Sequence, residues 1–486
     1  MTGAPTKNAL DRSLARAVAW NAAAKWSTQV LSWVSTIVVA RLLMPSDYGL
    51  VGMAGVYLNL AGLVGQFGIA DAVIALRNLT RQQIAGLNTV AVTAGLILFA
   101  LSCVVAHPLA RFFSTPPLRA VLIVASTTYL ITGIQVVPQA LLQKELRFKL
   151  LAGIEMVRSV SQIVATLGLA WLGFGYWSLV NSYIVGAAVS AGLTLCWQRH
   201  RFAVPRFAQL RRELQFSWNI TVSGIAWYSY SNADFLVAGR MLGQAPLGDY
   251  TVAWTISSAP IEKIATLLTN ITPSFFSAVQ HDKAELRRYL LRLTEMLSCV
   301  TVPLSIGLAL VADYLVPVLL GPKWMGVIGP LRLLGLLMAF RSITILPSRV
   351  LTAIGETSFV MWASIATAII MPLGFYFGSR WGTNGIAATW IVVYPPIMVP
   401  IFYKCFQRIE MKSREYVSSL MPALASSVIM AAAVVIVHLT IPQRWSLSLR
   451  LSALVALGVL VYAGALFALY REQVGRIVRA VRSMNC

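Results

Sequence analysis

The residues best placed to do chemistry are charges set inside long apolar stretches. The cations are Lys25, Arg158, Lys263, Arg332 and Arg341, with Arg349 just beyond Pro347, and the anions are Glu155, Asp234, Glu262 and Glu295. A charge at bilayer depth is costly unless it faces a cavity or a partner. Lys25, Lys263, Arg341, Arg349 and Arg158, facing a common cavity, would attract an anionic substrate such as a phosphate or diphosphate head group. Arginine would hold it with a two-pronged fork of N–H donors. Asp234, Glu155 and Glu262 are the candidate coupling or cavity acids. A plainer reading competes at several positions. Glu155 and Arg158 stand i, i+3 and can neutralise each other. Glu262 and Lys263 are adjacent and point apart on a helix. Lys25 can stretch to the membrane edge. Asp234 lies six residues before Arg240 and can pair locally. Arg332 and Glu295 read as boundary residues.

No catalytic constellation accompanies these charges. The histidines, His107, His200, His281 and His438, fall in loops or near the ends of apolar runs, and none sits in an HExxH. There is no phosphate-binding loop and no GxGxxG opening a helix. The five cysteines are scattered without a CxxC, so no disulfide framework or metal site is expected, and no cofactor. Trp26, Trp33, Trp227, Tyr228 and Tyr230 could stack on a sugar, although packing is the commoner use of such rings.

The elements that must position these residues are membrane helices. The 486 residues are 58% hydrophobic and only 12% charged, with a mean hydropathy of +0.73, against about 25% charged in soluble domains. Apolar runs of about 20 residues, the length that crosses a bilayer, recur from end to end. They fall near 17–40, 49–70, 88–106, 120–142, 150–171, 176–196, 217–238, 248–270, 290–312, 328–346, 358–378, 384–403, 417–439 and 450–470. The expected fold is thus an all-α polytopic membrane protein of about fourteen spans. The first apolar run stays as a helix, with no cleavable signal peptide before it.

The net charge of +22 sits mostly in short loops, which favours the positive-inside effect over nucleic-acid binding. Arg292 and Arg450, at span edges, are counted with the neighbouring loops. The N terminus is placed inside. Then 26 of the 39 Lys and Arg lie on the inner side and 8 on the outer, so both termini are expected in the cytoplasm. The chain also repeats itself. Trp20-Asn21 recurs as Trp218-Asn219, Ala40-Arg41-Leu42-Leu43 as Gly239-Arg240-Met241-Leu242, and Asp47-Tyr48 as Asp249-Tyr250. Val137-Pro138 recurs as Leu346-Pro347, and Trp171…Gly175 as Trp381…Gly385. The offsets of 198, 199, 202, 209 and 210 rise in order, as small insertions would produce. Six spans per half make this a parallel repeat. The expected organisation is a six-helix lobe over 1–197, a basic cytoplasmic linker over 198–214, a second six-helix lobe over 215–404, and two added helices with a basic tail over 405–486.

The stretch AKWSTQVLSWVSTIVVARLLMPSDYGLVGMA resembles the opening of the bacterial Wzx-type polysaccharide flippases, and of their colanic-acid-type exporter branch in particular. So do QFGIADAVIALRNLT, LLQKELRF followed by GIE, and DFLVAGRMLG…LGDYTVAW. PSFFSAVQHDKAELRRYLLR, LLGPKWMGVIGPLRLLG and AFRSI continue the likeness. The resemblance runs from about Ala15 to Gln407 and fades over the last two spans. It implies the multidrug/oligosaccharidyl-lipid/polysaccharide exporter fold. It also implies translocation of an undecaprenyl-diphosphate-linked oligosaccharide across the bacterial inner membrane, for exopolysaccharide or lipopolysaccharide synthesis. Membrane lipid would be a further partner, with a separate polymerase and chain-length regulator acting on the product. Glu155, Lys263 and Arg341 fall where that branch also carries charge, Asp234 falls where broader members often place Asp, and Arg158 lacks such support. Two rival readings remain: a cation-coupled multidrug exporter of the same fold, which would want an acidic or apolar cavity, and a membrane-bound polysaccharide-processing enzyme, which would want a large outer loop.

Overall fold

The computed structural model describes residues 34–66, 69–75, 79–198, 202–204, 225, 228–229, 231–269, 276, 279, 282–442 and 444–471. Among them every regular element is a helix. Among the described residues nine helical stretches are long and apolar enough to cross a membrane, or ten if one bent pair counts as a single span. One of the nine, Thr357–Arg408, has 52 residues, and at 1.5 Å per residue its helices total about 78 Å. That exceeds the roughly 30 Å hydrocarbon core, so it holds more than one crossing. The molecule is therefore a multi-pass membrane protein. The chain divides into two compact units, Met1–Ser229 and Tyr230–Cys486.

In the first unit, α1 (described over Val34–Leu42) turns through 117° into α2 (Pro45–Gln66). Pro45 starts α2 because the first helical position needs no N–H, and the Asp47 carboxylate accepts from Met44 N at 2.8 Å. A short helix, α3 (Ile69–Ala75), follows. Then come α4 (Arg81–Phe112), α5 (Leu118–Lys144), α6 (Phe148–Trp171) and α7 (Trp177–Trp197). The expected span at 88–106 is only the middle of α4. Thr80 and Gln83 form a reciprocal capping box that starts the helix about two turns earlier than hydropathy suggests. Glycines let α4 and α5 touch along their backbones. A Cβ on Gly95 would sit 2.5 Å from the Tyr129 carbonyl, and one on Gly133 would sit 2.9 Å from that of Ala91. Close approach through small residues is how helices associate where lipid removes the hydrophobic drive.

The second unit begins with α8 (Ala233–Leu242), which hands over to α9 (Gln244–Thr269) at Gly243, where φ is 86° and a side chain would be strained. The long α10 (Lys283–Leu319) packs against α11 (Ile328–Ala353). Thr301 and Ser342 share a buried hydrogen bond of 2.8 Å across that seam. Next are α12 (Thr357–Gly378), α13 (Gly382–Val392) and α14 (Tyr394–Arg408). The span expected over 384–403 is thus two helices. Pro395 and Pro396 lack N–H groups and clash with carbonyls one turn back, which breaks the helix there. The added pair, α15 (Ser413–Thr440) and α16 (Leu447–Leu469), packs on α10. Tyr462 Oη donates to the Cys299 carbonyl at 2.6 Å.

Ion pairs gather loops that the charge count assigns to one side. Lys283 Nζ meets Glu410 at 2.6 Å, Arg287 meets Glu415 at 3.8 Å, and Arg408 pairs with Glu356. These join the start of α10, the α11–α12 turn and the α14–α15 turn. At the other ends of α10 and α11, Arg332 pairs with Asp313.

Candidate functional site

Asp234 sits in the first turn of α8, where the unpaired N–H groups of a helix start favour a carboxylate. It is fully buried, at 0% exposure. Both its oxygens are engaged: Phe235 N donates to one at 3.0 Å, while Tyr250 Oη at 2.7 Å and Trp390 Nε1 at 3.0 Å donate to the other. Tyr250 and Trp254 stand i, i+4 on α9, the spacing that puts two side chains on one face. Trp390 comes from the last turn of α13, just before the proline break. The rings adjoin: Trp254 and Trp390 centroids are 5.6 Å apart, and Trp390 and Tyr394 centroids 5.5 Å apart.

Arg341 of α11 lies against this aromatic group. Its guanidinium carbon is 5.1 Å from the Trp254 ring centroid and 5.8 Å from that of Trp390. Trp390 therefore stands between the two charges, giving its N–H to Asp234 and its ring to Arg341. None of the seven ion pairs among the described residues includes Arg341. Its Nη1 is shielded from solvent and has no hydrogen-bond partner among the described residues. Thr344 Oγ1 bonds the Arg341 carbonyl at 2.8 Å and approaches Tyr394 Oη at 3.5 Å, which ties this stretch of α11 to α14. The arrangement is a cation stacked on indole faces, with donor capacity left over. Such an arrangement has the chemistry to take up an anion.

The other expected site residues fall elsewhere. Glu155 and Arg158 grip each other on α6 at 2.5 and 2.8 Å, and Arg158 also reaches Gln162 at 3.5 Å. Arg349 is exposed on α11, eight residues and so about 12 Å along the helix from Arg341. Glu262 is exposed on α9. Lys263 lies on the same helix, with its side chain outside the described part, and Lys25 lies wholly outside the described residues. So do Trp26, Trp33, Trp227 and Tyr230. Tyr228 is buried and donates to the Gly55 and Val56 carbonyls at 3.3 and 3.2 Å, a packing role.

Sequence reasoning missed Tyr250, Trp254, Trp390 and Tyr394. One signal pointed to the cluster. Carrying the repeat offsets of 199, 209 and 210 into the first half places Ser35, Thr132 and Val180 opposite Asp234, Arg341 and Trp390. The second half thus departs from the first at three positions that meet in space.

Comparisons with known proteins bear on the family and the fold. A family model described as "Polysaccharide biosynthesis protein" matches residues 38–329. The chain is similar to the succinoglycan biosynthesis transport protein ExoT of Rhizobium meliloti (strain 1021), at 26% identity over 80% of this chain and 78% of that one. It is also similar to the lipopolysaccharide biosynthesis protein WzxC of Escherichia coli (strain K12), at 25% identity over 66% of this chain and 67% of that one. Among solved structures it resembles the lipid II flippase MurJ in an inward closed conformation. That likeness has a TM-score of 0.73 and covers 94% of this chain and 99% of that chain, and its 14% identity makes it a likeness of fold.

Proposed function

This chain belongs to the polysaccharide biosynthesis protein family, and we propose that within it the chain is a flippase. Its substrate on this reading is an undecaprenyl-diphosphate-linked oligosaccharide, carried across the bacterial inner membrane by alternating access, with both termini in the cytoplasm. A polymerase and a chain-length regulator would take up the product. The observation that carries the reading is Arg341, a cation inside a membrane-spanning unit that touches no carboxylate among the described residues, faces Asp234 only across Trp390, and has one guanidinium nitrogen unsatisfied there. A buried charge of that kind calls for a counter-charge, and a diphosphate supplies two at the right geometry for a guanidinium fork. The names of ExoT, a succinoglycan biosynthesis transport protein, and WzxC, a lipopolysaccharide biosynthesis protein, support a transporter that serves polysaccharide synthesis.

The rival multidrug exporter would need an acid free to receive a cationic drug. Asp234 is a poor candidate, because three donors already occupy its oxygens. Lys25, Lys263 and Arg349 remain proposed further contacts for the head group, Glu262 a proposed cavity acid, and Glu155 and Arg158 a mutually neutralised pair. The test is deletion of the gene, followed by mass spectrometry of the lipid extract and assay of surface polysaccharide. The expected result is an accumulated diphosphate-linked oligosaccharide, reversed by the wild-type gene but not by Arg341→Ala at equal protein level. Unchanged lipids and normal surface polysaccharide in the deletion strain would sink the proposal.

A further inference from the structure

Asp234 has the look of an ion-coupling carboxylate by its sequence position alone, but its surroundings describe a different task. Its three hydrogen bonds come from neutral donors on three segments: its own helix start, α9 and α13. Two of those donors, Tyr250 and Trp390, belong to the ring group on which Arg341 rests, and Tyr250 also lies beside Trp254, 6.3 Å between centroids. An indole that gives its N–H to a carboxylate carries more electron density on its ring, and a ring richer in electrons holds a cation more firmly. Trp390 is only 2% exposed, so Asp234 fixes both the orientation and the electronic character of the surface under Arg341. The Trp390 indole N–H and the Tyr250 hydroxyl converge on the same Asp234 oxygen and also touch each other.

We infer that Asp234 is a positioning residue: through Tyr250 and Trp390 it builds the aromatic seat that leaves the Arg341 guanidinium edge free for a diphosphate. This rests on the proposed role of Arg341. The carboxylate acts as a hydrogen-bond acceptor at a junction of α8, α9 and α13. Its negative charge is not itself consumed in transport, so an asparagine whose carbonyl faces Tyr250 and Trp390 serves in its place, giving up only the bond from Phe235 N.

The experiment uses the full-length protein in phospholipid nanodiscs, with undecaprenyl diphosphate as the probe, and export is measured in parallel in a strain lacking the gene. Asp234→Ala is expected to weaken probe binding about tenfold, and Tyr250→Phe, which removes one hydroxyl and no packing volume, to weaken it several-fold. Asp234→Asn is expected to stay within about threefold of wild type, and to restore export. If Asp234→Ala does not fold, Tyr250→Phe and Asp234→Asn carry the test alone. Export lost in Asp234→Asn with probe affinity intact would overturn the inference, since the charge itself would then be the working part. Wild-type binding by Tyr250→Phe would overturn it as well. Wild-type binding by Arg341→Ala is a separate outcome, and it would remove the reading of Arg341 on which the inference stands.

Discussion

Replacing Arg341 by methionine separates a binding residue from a structural one, because the two roles predict opposite signs for stability. The guanidinium is half-buried and held on two ring faces, at 5.1 and 5.8 Å, with no ion pair among the described residues. Such a cation–π contact returns about 2 kcal/mol where it is desolvated. Taking an unpaired ion out of water costs several kcal/mol even after relaxation, and replacing whole buried ion pairs by apolar residues is often neutral or stabilising by about 1–4 kcal/mol. The half-exposure of Arg341 puts the expected gain at the lower end, about 1–3 kcal/mol. In a unit of 150–250 residues each kcal/mol moves the midpoint by about 2–4 °C. Arg341→Met should therefore raise the melting temperature of the ligand-free protein by about 2–12 °C. The same change removes the proposed anion contact, and losing a charge partner in a desolvated complex costs about 2–5 kcal/mol, or at least about thirtyfold in affinity. The assays are thermal denaturation in detergent, followed by the monodisperse peak on size exclusion, and complementation of export in the deletion strain. A fall in melting temperature of more than about 2 °C would show that the guanidinium is a structural tie. Normal export at wild-type protein level would equally refute the reasoning.

Four further outcomes follow from other parts of the structure. Gly95→Ala places a methyl 2.5 Å from the Tyr129 carbonyl, so α4 and α5 must part. The expected loss is about 1–3 kcal/mol, read by thermal denaturation. Gly168→Ala, which meets nothing within 4 Å, should instead gain about 0.5–1 kcal/mol by helix propensity. Glu155→Gln leaves a half-satisfied surface pair on α6, since the two side chains are 58% and 30% exposed. The expected change is below about 1 kcal/mol, with export retained in the complementation assay. Outside the membrane, the hydrogen bond from Lys283 holds the Glu410 carboxyl below its usual range. A depressed carboxyl stabilises the fold above the unfolded value of about 4.3 and loses that contribution as pH falls through the folded one. Wild type and Glu410→Gln should accordingly differ most near neutral pH and converge in melting temperature toward acid, as a pH series of thermal scans would read.

Much of the fold is legible along the chain because a bilayer imposes a coarse rule. Each crossing needs a long apolar run, and every backbone polar group inside must be satisfied within its own helix. Hence α5, α6 and α7 lie within two residues of the expected spans. Where the limits moved, local chemistry that hydropathy does not weigh had acted. A capping box lengthened α4, and Pro395 and Pro396 divided the span after α12. The pairing of Glu155 with Arg158 was also legible, since it needs only one helix turn.

The sequence by itself settles that the chain crosses a membrane many times in helices, that its halves echo each other, and which charges sit at depth. It ranks those charges only where one helix turn decides. Arg158 finds Glu155 three residues away on its own helix. Only the tertiary structure seats Arg341 on Trp254 and Trp390, from helices α9 and α13. The reason is that a charge's worth depends on what surrounds it within a few ångströms, and at Arg341 those neighbours come from 87 residues upstream and 49 downstream. No period or window along one helix reports them.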